Sequence, residues 1–343
     1  MRLRKNLVTN AILTEDIEAV ANALRPHCKV LERRRIFLTG GTGFFGKWLL
    51  HSFLGLRNAH GLNVALTVLS RDPNRFLDAC PEFSGQEGLD FITGDVRSFT
   101  LPAKPTFDFV IHGATAASAK LEQEDPDEMY SVIMDGTRHV LEFMQRCSAT
   151  RLLFISSGAV YGVQPPRLTH VPETYVGEPM TAYGKGKKVS EQLCLDASAG
   201  QFECVIARPF AFVGPYLPLD AHFAIGNFIL DCLEDRPIVI QGDGTPLRSY
   251  LYAADLAEWL WTILLRGEPS RAYNVGSSDA ISICDLAHCV RECAGTKNEI
   301  VVHGKKIEGA LPSRYMPSVD RAKNELGLCQ RYTLSDAIHR TIA

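Results

Sequence analysis

The chain has 343 residues, of which 46% are hydrophobic and 22% are charged, and its net charge is −3. This length exceeds one typical domain, and the composition suits a protein with a sizeable buried core. The small negative charge argues against a nucleic-acid binder with a dominating basic surface. No apolar run reaches the roughly 18 residues that a membrane-spanning helix needs, so we expect no membrane partner.

The ten cysteines are scattered through apolar or helical stretches. The basic residues at 1–5 are not followed by the apolar core of a signal peptide, so we expect reduced thiols in a cytoplasmic protein. One group shares a helical pattern but lacks the paired Cys-x-x-Cys spacing of a zinc site, and we therefore expect no metal. This group is Cys284, His288, Cys289 and Cys293.

Residues 1–34 precede the first predicted strand and are expected to form a helical extension. Ile17, Val20, Ala21 and Leu24 recur at the spacing of one helix face, and Thr14 could cap that helix. Pro26 would end it. Nothing in this segment indicates chemistry.

A glycine-rich turn follows the first strand, which we predict at 36–39. Gly40, Gly43 and Gly46 are spaced G-x-x-G-x-x-G, rather than G-x-G-x-x-G, and an amphipathic helix follows. Such a turn lets a ligand approach the backbone, and the helix N-terminus then favours a phosphate. Glycine-rich turns also occur for packing reasons, and from the motif alone that alternative stays open.

Strands then alternate with helices, which predicts parallel βαβ units. The further strands are predicted at 63–69, 89–92, 107–112 and 151–156, with a helix at about 127–146. In a parallel sheet ligands bind at the carboxyl ends of the strands. Polar and small residues at 70–72, 94–96, 112–115 and 156–158 should therefore share one edge.

Beyond residue 160 the chain becomes richer in loops, with a helix predicted at 182–198 and a strand at 203–208. The alternation breaks after Gly214-Pro215. We therefore expect a dinucleotide-binding domain at 35–215, with a return segment at about 238–275, and a smaller interleaved substrate lobe within 216–343.

Tyr183 and Lys187 lie one helical turn apart, so their side chains share a face. A nearby ammonium favours the phenolate and should lower the pKa of the tyrosine, which makes it a usable acid or base. A serine at the end of the fifth strand could donate a hydrogen bond to the substrate hydroxyl or carbonyl oxygen with which the tyrosine exchanges its proton. Taken alone, the Tyr-x-x-x-Lys pattern also fits a solvated helix face.

Three motifs together resemble a known family. Residues 39–46, Ser156 to Gly162 and Tyr183 to Lys187 are similar to the extended short-chain dehydrogenase/reductases. The resemblance is strongest to the branch of nucleotide-sugar epimerases, dehydratases, decarboxylases and 4-keto reductases, and it runs from about residue 35 to the C-terminus. It implies a Rossmann-type, doubly wound parallel sheet in an α/β protein.

The resemblance also implies catalytic roles. Tyr183 would be the general acid/base, Lys187 its electrostatic partner and a ribose ligand, and Ser157 the third member. Ser157 is preferred to Ser156 because the family serine precedes the tyrosine of the Val-Tyr-Gly motif, here Tyr161, by four residues.

Binding residues follow from the same resemblance. The cofactor is expected to contact residues at the glycine turn, the strand ends and the Tyr-Lys helix: Gly40, Thr42, Gly43, Phe44, Phe45, Gly46, Ser70, Arg71, Asp95, Val96, His112, Gly113, Ala114, Tyr183 and Lys187. A nucleoside-diphosphate sugar is expected to contact Ser157, Asn227, Arg248 and Arg314, since arginine forms forked bonds to phosphate oxygens.

The second strand indicates which cofactor is bound. A carboxylate at its end would bind the ribose hydroxyls of NAD, whereas this chain has Ser70 and Arg71, which suit a 2′-phosphate. Asp72 could still reach the ribose from one position later. We favour NADP, with NAD as the alternative.

The residues after Ser157 indicate the reaction. Family members that eliminate water or carbon dioxide carry acidic residues there, and this chain has Gly158 and Ala159. A dehydratase and a decarboxylase are disfavoured for that reason, and the complete Ser-Tyr-Lys set disfavours a non-catalytic dinucleotide-binding regulator. We expect reduction of a 4-keto sugar nucleotide, with an NAD-dependent 4-epimerase as the alternative, and a homodimer as in many family members.

Overall fold

A computed structural model describes residues 2–100, 106–115, 119–221 and 223–343, with the backbone alone at 2–10 and 119–120. The strands are β1 Arg35–Thr39, β2 Ala65–Ser70, β3 Leu89–Thr93, β4 Phe109–His112, β5 Arg151–Ile155, β6 Glu203–Pro209, β7 Phe212–Val213, β8 Ile238–Ile240, β9 Leu247–Arg248, β10 Leu251–Tyr252, β11 Arg271–Val275, β12 Ile281–Ser282, β13 Ile300–Val302 and β14 Arg314–Tyr315. The helices are α1 Arg2–Leu24, α2 Phe44–His60, α3 Pro73–Ala79, α4 Ala119–Glu124, α5 Pro126–Cys147, α6 Ala182–Ser198, α7 Ala224–Leu233, α8 Ala253–Arg266, α9 Ile283–Ala294, α10 Asp320–Leu326 and α11 Leu334–Ile342.

The centre of the molecule is a seven-stranded parallel sheet in the order β11-β6-β5-β4-β1-β2-β3. The chain starts at β1, runs outward to β3, then returns past β1 to build the other half. The order therefore reverses beside β1, and in such sheets ligands bind at the point of reversal, outside the carboxyl ends of the strands. The predicted doubly wound Rossmann-type fold is confirmed.

Helices cover both faces of the sheet, so its strands are buried on both sides. All four residues of β4 are buried. On one face Phe37 packs against Phe99, Phe107 and Phe143, with ring centroids 5.4, 5.3 and 4.7 Å apart. On that side α5 packs against α6, while α1, α2 and α8 pack against one another on the other side.

The N-terminal helix is longer than its sequence pattern indicated. Thr14 lies inside α1, so the prediction that it caps a helix is wrong. Leu13, four residues before Ile17, is buried and continues the apolar face toward the N-terminus. The buried carboxylate of Asp16 accepts hydrogen bonds from Tyr252 (2.5 Å) and Arg340 (2.8 Å), which tie α1 to the C-terminal part of the chain.

Short strands after residue 211 form three small sheets, β10-β7, β12-β9-β14 and β13-β8. β11, by contrast, belongs to the central sheet. The predicted boundaries of the N-terminal extension and the two lobes stay a prediction. Residues 1, 101–105, 116–118 and 222, which fall within these predicted ranges, lie outside the described part of the chain.

All ten cysteines are free thiols. Within the described residues, no cluster of three or more His, Cys, Asp or Glu side chains could hold a metal ion, the group around Cys289 included. None of the helices described is both long and apolar enough to cross a membrane.

Candidate functional site

In the glycine turn between β1 and α2, close packing requires glycine at two positions and does not require it at a third. Gly40 has a φ of +80°, and a Cβ there would lie 2.5 Å from the carbonyl carbon of Gly113. A Cβ at Gly46 would lie 2.3 Å from the Gly41 oxygen. A Cβ at Gly43 would meet nothing closer than 3.7 Å. Gly43 therefore faces open space, as expected where a ligand approaches the backbone.

The surroundings of this turn suit a dinucleotide. Gly43 is the N-cap of α2 and offers no side chain to the first turn, which leaves backbone N–H groups for an anion. Thr42, Phe44 and Phe45 are partly buried around the turn. At the end of neighbouring β4, the buried hydroxyl of Thr115 has no hydrogen-bond partner among the described residues, as a site for a polar ligand would require.

At the end of β2, the side chains of Ser70, Arg71 and Asp72 differ in their burial and in their hydrogen-bond partners. Ser70 is buried and its hydroxyl accepts the Asp72 N–H at 3.3 Å. The Asp72 carboxylate accepts the Arg75 N–H at 3.0 Å and caps α3. Arg71 is exposed. Asp72 is thus engaged by its own helix, whereas the exposed Arg71 helps, through its positive charge, to lower the pKa of Asp95.

Asp95 and Val96 follow β3. The Asp95 carboxylate accepts bonds from Arg97 Nε (3.0 Å) and Nη2 (3.3 Å), which lower its pKa, and Arg97 also binds Glu128 on α5. Val96 is buried against Gly136, where a Cβ would come within 2.8 Å of it. Arg97 therefore holds the Asp95 loop against α5.

The His112 side chain is a structural group beneath the site. Its Nδ1 lies 2.8 Å from Thr39 Oγ1 and its Nε2 lies 3.1 Å from Thr137 Oγ1. Burial, and then the positive charge of Lys187, lowers its pKa to about 3, so the ring is neutral. The Ala114 N–H donates to Thr39 Oγ1 at 3.1 Å. Of the residues predicted here to contact the cofactor, Gly113 and Ala114 are partly exposed and can line a groove, whereas His112 is buried.

Tyr183 lies in the first turn of α6. Hydrogen bonds from the backbone of this turn to the side chains of Thr181 and Glu122 hold it in place. Thr181 caps the helix by accepting the Gly184 N–H at 3.0 Å. The carboxylate of Glu122 accepts the N–H groups of Ala182 (2.6 Å) and Tyr183 (2.9 Å). A carboxylate at a helix N-terminus is favourable, and here it fixes the backbone from which the phenol projects.

Lys187 lies one turn further along the same face of α6, as predicted. It is 1% exposed, and its Nζ donates to the Ile155 carbonyl at 2.8 Å and lies 5.9 Å from the centroid of the Tyr183 ring. Burial lowers the pKa of Lys187 to about 8. The ammonium is held beside the phenol by the end of β5.

The predicted lowering of the Tyr183 pKa by Lys187 is wrong for this structure. Burial raises the pKa of Tyr183, and the hydrogen bond of the Ser157 hydroxyl opposes that rise. Among the described residues the Lys187 ammonium donates to a carbonyl and to no phenol. The desolvation of the phenolate is therefore the stronger effect.

The two serines after β5 have different partners. Ser157 Oγ accepts the Ala159 N–H at 3.1 Å, and Ser157 lies close enough to the phenols of Tyr183 and Tyr315 to oppose the rise in pKa that burial causes in each. Ser156 Oγ donates instead to Glu191 at 2.5 Å. The structure thus brings Ser157, and not Ser156, to Tyr183.

Ser156 belongs to a buried polar network below the site. Arg208 donates to the Glu191 carboxylate through Nε (2.9 Å) and Nη2 (2.6 Å), and through Nη1 to the Tyr161 hydroxyl (2.8 Å). Tyr161 donates in turn to Asn274 (2.8 Å). This network joins α6, β6 and β11, so Arg208 and Tyr161 act as structural residues here.

Two of the predicted phosphate-binding residues lie on adjacent strands. β14 pairs in parallel with β9, so that Arg314 stands opposite Leu247 and Tyr315 stands opposite Arg248. Because side chains alternate along a strand, Arg248 shares its side of the pair with Tyr315 rather than with Arg314. Asn227 lies on α7, and in the described part of the chain no hydrogen bond joins its side chain to these arginines.

Tyr315 is the site residue that the sequence did not indicate. It is partly buried, and its ring lies 4.7 Å from that of Phe210. A Cβ at Gly158 would lie 2.7 Å from Tyr315 Oη and 2.9 Å from the Phe210 ring. Its only sequence signal was its position beside Arg314, because the contact with Ser157 joins segments far apart in the chain.

The chain is similar to proteins of known family. A model of the NAD dependent epimerase/dehydratase family matches residues 36–276. UDP-glucuronic acid decarboxylase 1 of Xenopus tropicalis is 27% identical over 320 residues, which cover 91% of this chain and 72% of that protein.

Solved structures show the same fold. UDP-glucuronic acid 4-epimerase from Bacillus cereus, solved with NAD, matches with a TM-score of 0.78 and 22% identity over 90% of this chain and 98% of that one. A dTDP-glucose 4,6-dehydratase from Streptomyces venezuelae, also solved with NAD, matches with a TM-score of 0.77 and 21% identity. The match covers 90% of this chain and 95% of that one. The resemblance inferred from the motifs, to the extended short-chain dehydrogenase/reductases, is confirmed.

Proposed function

This chain belongs to the NAD dependent epimerase/dehydratase family, and on that basis we propose that it modifies a nucleoside-diphosphate sugar with a nicotinamide dinucleotide. Relatives and structural neighbours named as UDP-glucuronic acid decarboxylase, UDP-glucuronic acid 4-epimerase and dTDP-glucose 4,6-dehydratase support this class of substrate. Within the class, the reaction proposed is reduction of a 4-keto sugar.

The proposed chemistry divides between the cofactor and the site. A bound nicotinamide dinucleotide supplies the hydride. Tyr183 supplies the proton to the forming hydroxyl, Ser157 donates to the same oxygen, and Lys187 favours the phenolate that Tyr183 becomes. The raised pKa of Tyr183 keeps the phenol protonated at neutral pH, which is the form a reduction needs.

The observation that carries the choice of reaction is the crowding at Gly158. Enzymes that eliminate water or carbon dioxide need an additional acid or base beside the Ser-Tyr-Lys set. A side chain at 158 would collide with the Tyr315 hydroxyl and the Phe210 ring, because even its Cβ would lie within 3 Å of both. Hydride transfer without elimination needs no such group, so this site supports reduction better than decarboxylation or dehydration.

An NAD-dependent 4-epimerase is the second candidate, since it too transfers hydride without elimination. The structural neighbour from Bacillus cereus is named as such an enzyme. An epimerase regenerates its cofactor in each turnover, so it would interconvert two sugar nucleotides with no net consumption of added nicotinamide dinucleotide.

Incubation of the purified chain with NADPH and a panel of UDP- and dTDP-linked 4-keto sugars tests the two candidates. We expect stoichiometric NADPH oxidation with at least one keto sugar. Interconversion of UDP-linked hexoses or hexuronic acids without oxidation of NADPH would favour the epimerase and contradict the reductase.

NADP is the proposed cofactor, and the capping role of Asp72 supports it. Asp72 was the one residue that could have replaced the missing carboxylate at the end of β2. Its carboxylate caps α3 through the Arg75 N–H, which ties Asp72 to its own helix. Arg71 is exposed and positively charged, which suits the 2′-phosphate of NADP.

Replacement of Arg71 by alanine is expected to raise the KM for NADPH by about tenfold or more and to leave the KM for NADH nearly unchanged. A charge-assisted bond of about 1.5–3 kcal/mol would be lost with NADPH alone. Steady-state kinetics with each cofactor measure this. The matched control is Arg25→Ala, at an exposed arginine after α1 and before β1, which should change neither KM. Equal increases for both cofactors would contradict the assignment.

Arg248 and Arg314 are the proposed ligands of the substrate diphosphate, with Asn227 as a further contact. Arg248 shares its side of the β9-β14 pair with Tyr315, which lies close to Ser157, and Arg314 lies one strand away on the other side. Their positive charges suit a diphosphate that runs past this strand pair.

A homodimer and a cytoplasmic location are also proposed. α5 and α6 pack together and each has an exposed apolar side chain, Tyr130 and Val189, which suits a contact of these helices with a second copy. The ten free thiols suit a reducing compartment.

A further inference from the structure

The first turn of α6, which carries Tyr183, has side-chain acceptors from two separate elements. Thr181 accepts the Gly184 N–H at 3.0 Å, as an N-cap residue does. The carboxylate of Glu122 on α4 accepts two further N–H groups, with Oε1 2.6 Å from the Ala182 nitrogen and Oε2 2.9 Å from the Tyr183 nitrogen. Because each carboxylate oxygen holds one N–H, the two bonds restrict both the position and the rotation of this turn.

This arrangement differs from that of the other capped helices. In α3, α5, α9 and α11 the side chain that accepts a first-turn N–H belongs to the N-cap residue of the same helix. Among the hydrogen bonds of the described residues, only α6 also receives a carboxylate from a separate helix, 60 residues away in the chain. One N-cap side chain is sufficient in those four helices, so the additional carboxylate on α6 indicates a requirement beyond helix capping.

The helix that bears Glu122 also adjoins the proposed cofactor groove. α4 begins at Ala119, shortly after Gly113 and Ala114 at the end of β4. One short segment of chain therefore lines the proposed groove and holds the helix of the proposed acid. A hydride donor and a proton donor that act on one carbonyl group must each be held to within about 0.5 Å of the productive geometry.

We infer that Glu122 is a positioning residue of the reaction, whose carboxylate sets the place of the Tyr183 phenol through the backbone N–H groups of the first turn of α6. The inference rests on the proposed function, in which Tyr183 is the acid. The phenol oxygen lies at the far end of its side chain, so a small rotation of the first turn moves this oxygen further than it moves the backbone. A misplacement of about 1 Å can cost on the order of 100-fold in rate.

The inference is tested with Glu122→Gln, which keeps the length of the side chain and offers one acceptor oxygen in place of two. The amide NH₂ group of the glutamine would face the second backbone N–H as a donor facing a donor. The matched control is Asp125→Ala, which removes the carboxylate that caps α5 through the Glu128 N–H at 3.0 Å. None of the proposed catalytic residues lies on α5, so the control removes a helix cap and leaves the bonds to α6 in place.

We expect Glu122→Gln to lower kcat about ten- to hundredfold and to leave the Kd for NADPH within about twofold, because the acid is displaced and the groove is kept. In chains labelled with 3-fluorotyrosine, the fluorine resonance of position 183 is assigned with Tyr183→Phe. This resonance should shift in Glu122→Gln without substrate, because the phenol changes its surroundings. Asp125→Ala should lower the melting temperature and leave both kcat and this resonance unchanged.

A fall in kcat no larger in Glu122→Gln than in Asp125→Ala, or a resonance at position 183 that stays in place, would overturn the inference. The carboxylate of Glu122 would then be a helix cap alone. Because the resonance needs no substrate, it separates this inference from the proposed function. A shift at position 183 in a chain that reduces no keto sugar would refute the reductase and leave the placement of Tyr183 by Glu122 intact.

Discussion

Replacement of Tyr183 by phenylalanine is expected to lower kcat/KM for the keto sugar by about 10³-fold, within the range that a positioned general acid contributes. The phenol is the one acidic group that the structure places beside both Ser157 and Lys187 among the described residues. Phenylalanine keeps the ring and its packing. The loss should therefore appear in kcat, with little change in the melting temperature.

Two controls separate this loss from a general disturbance. Tyr175→Phe removes a hydroxyl away from Ser157 and keeps the partly buried ring, so it should retain activity within about twofold. NADPH binding to Tyr183→Phe, followed by nicotinamide fluorescence, should persist. An active Tyr183→Phe chain would mean that another residue supplies the proton.

Replacement of Arg208 by methionine is expected to destabilise the fold by about 3–5 kcal/mol, the range found when one partner of a buried ion pair is removed. The Glu191 carboxylate is 7% exposed and accepts two bonds from Arg208. Without the guanidinium it remains buried as an uncompensated charge. Tyr161 would also lose the donor at its hydroxyl.

Chemical denaturation of both proteins measures this loss. Arg138→Met is the matched control, because Arg138 pairs with Asp135 at a similar distance, 2.9 Å, with both side chains about half exposed. Its ion pair should contribute less than about 1 kcal/mol, as exposed pairs do. Equal losses in the two variants would show that the network under the site is not a buried ion pair in the folded protein.

Local sequence patterns were sufficient for the sheet and for the Tyr-Lys pair. Strand and helix periodicity placed α6 at Ala182–Ser198 as predicted, and residues four apart on a helix must share a face. The alternation of strands and helices likewise required a parallel sheet. These features depend on spacing within short segments, which a single sequence contains.

Features that depend on contacts between distant segments were not predictable in the same way. The second phenol reaches Ser157 from residue 315, and the position of Tyr315 follows from the pairing of β14 with β9. The capping role of Asp72 needed the helix that begins directly after it. The pKa of Tyr183 depends on how deeply α6 buries the phenol, which the spacing of Tyr183 and Lys187 does not reveal.

The most direct test of the central claim is mass spectrometry of the sugar nucleotide formed from a keto sugar and NADPH deuterated at the transferring position. The account predicts a product that carries one deuterium on the former carbonyl carbon, formed by the wild-type chain and not by Tyr183→Phe. A product formed by loss of water or carbon dioxide, or one without deuterium at that carbon while the label stays on the nicotinamide, would contradict it.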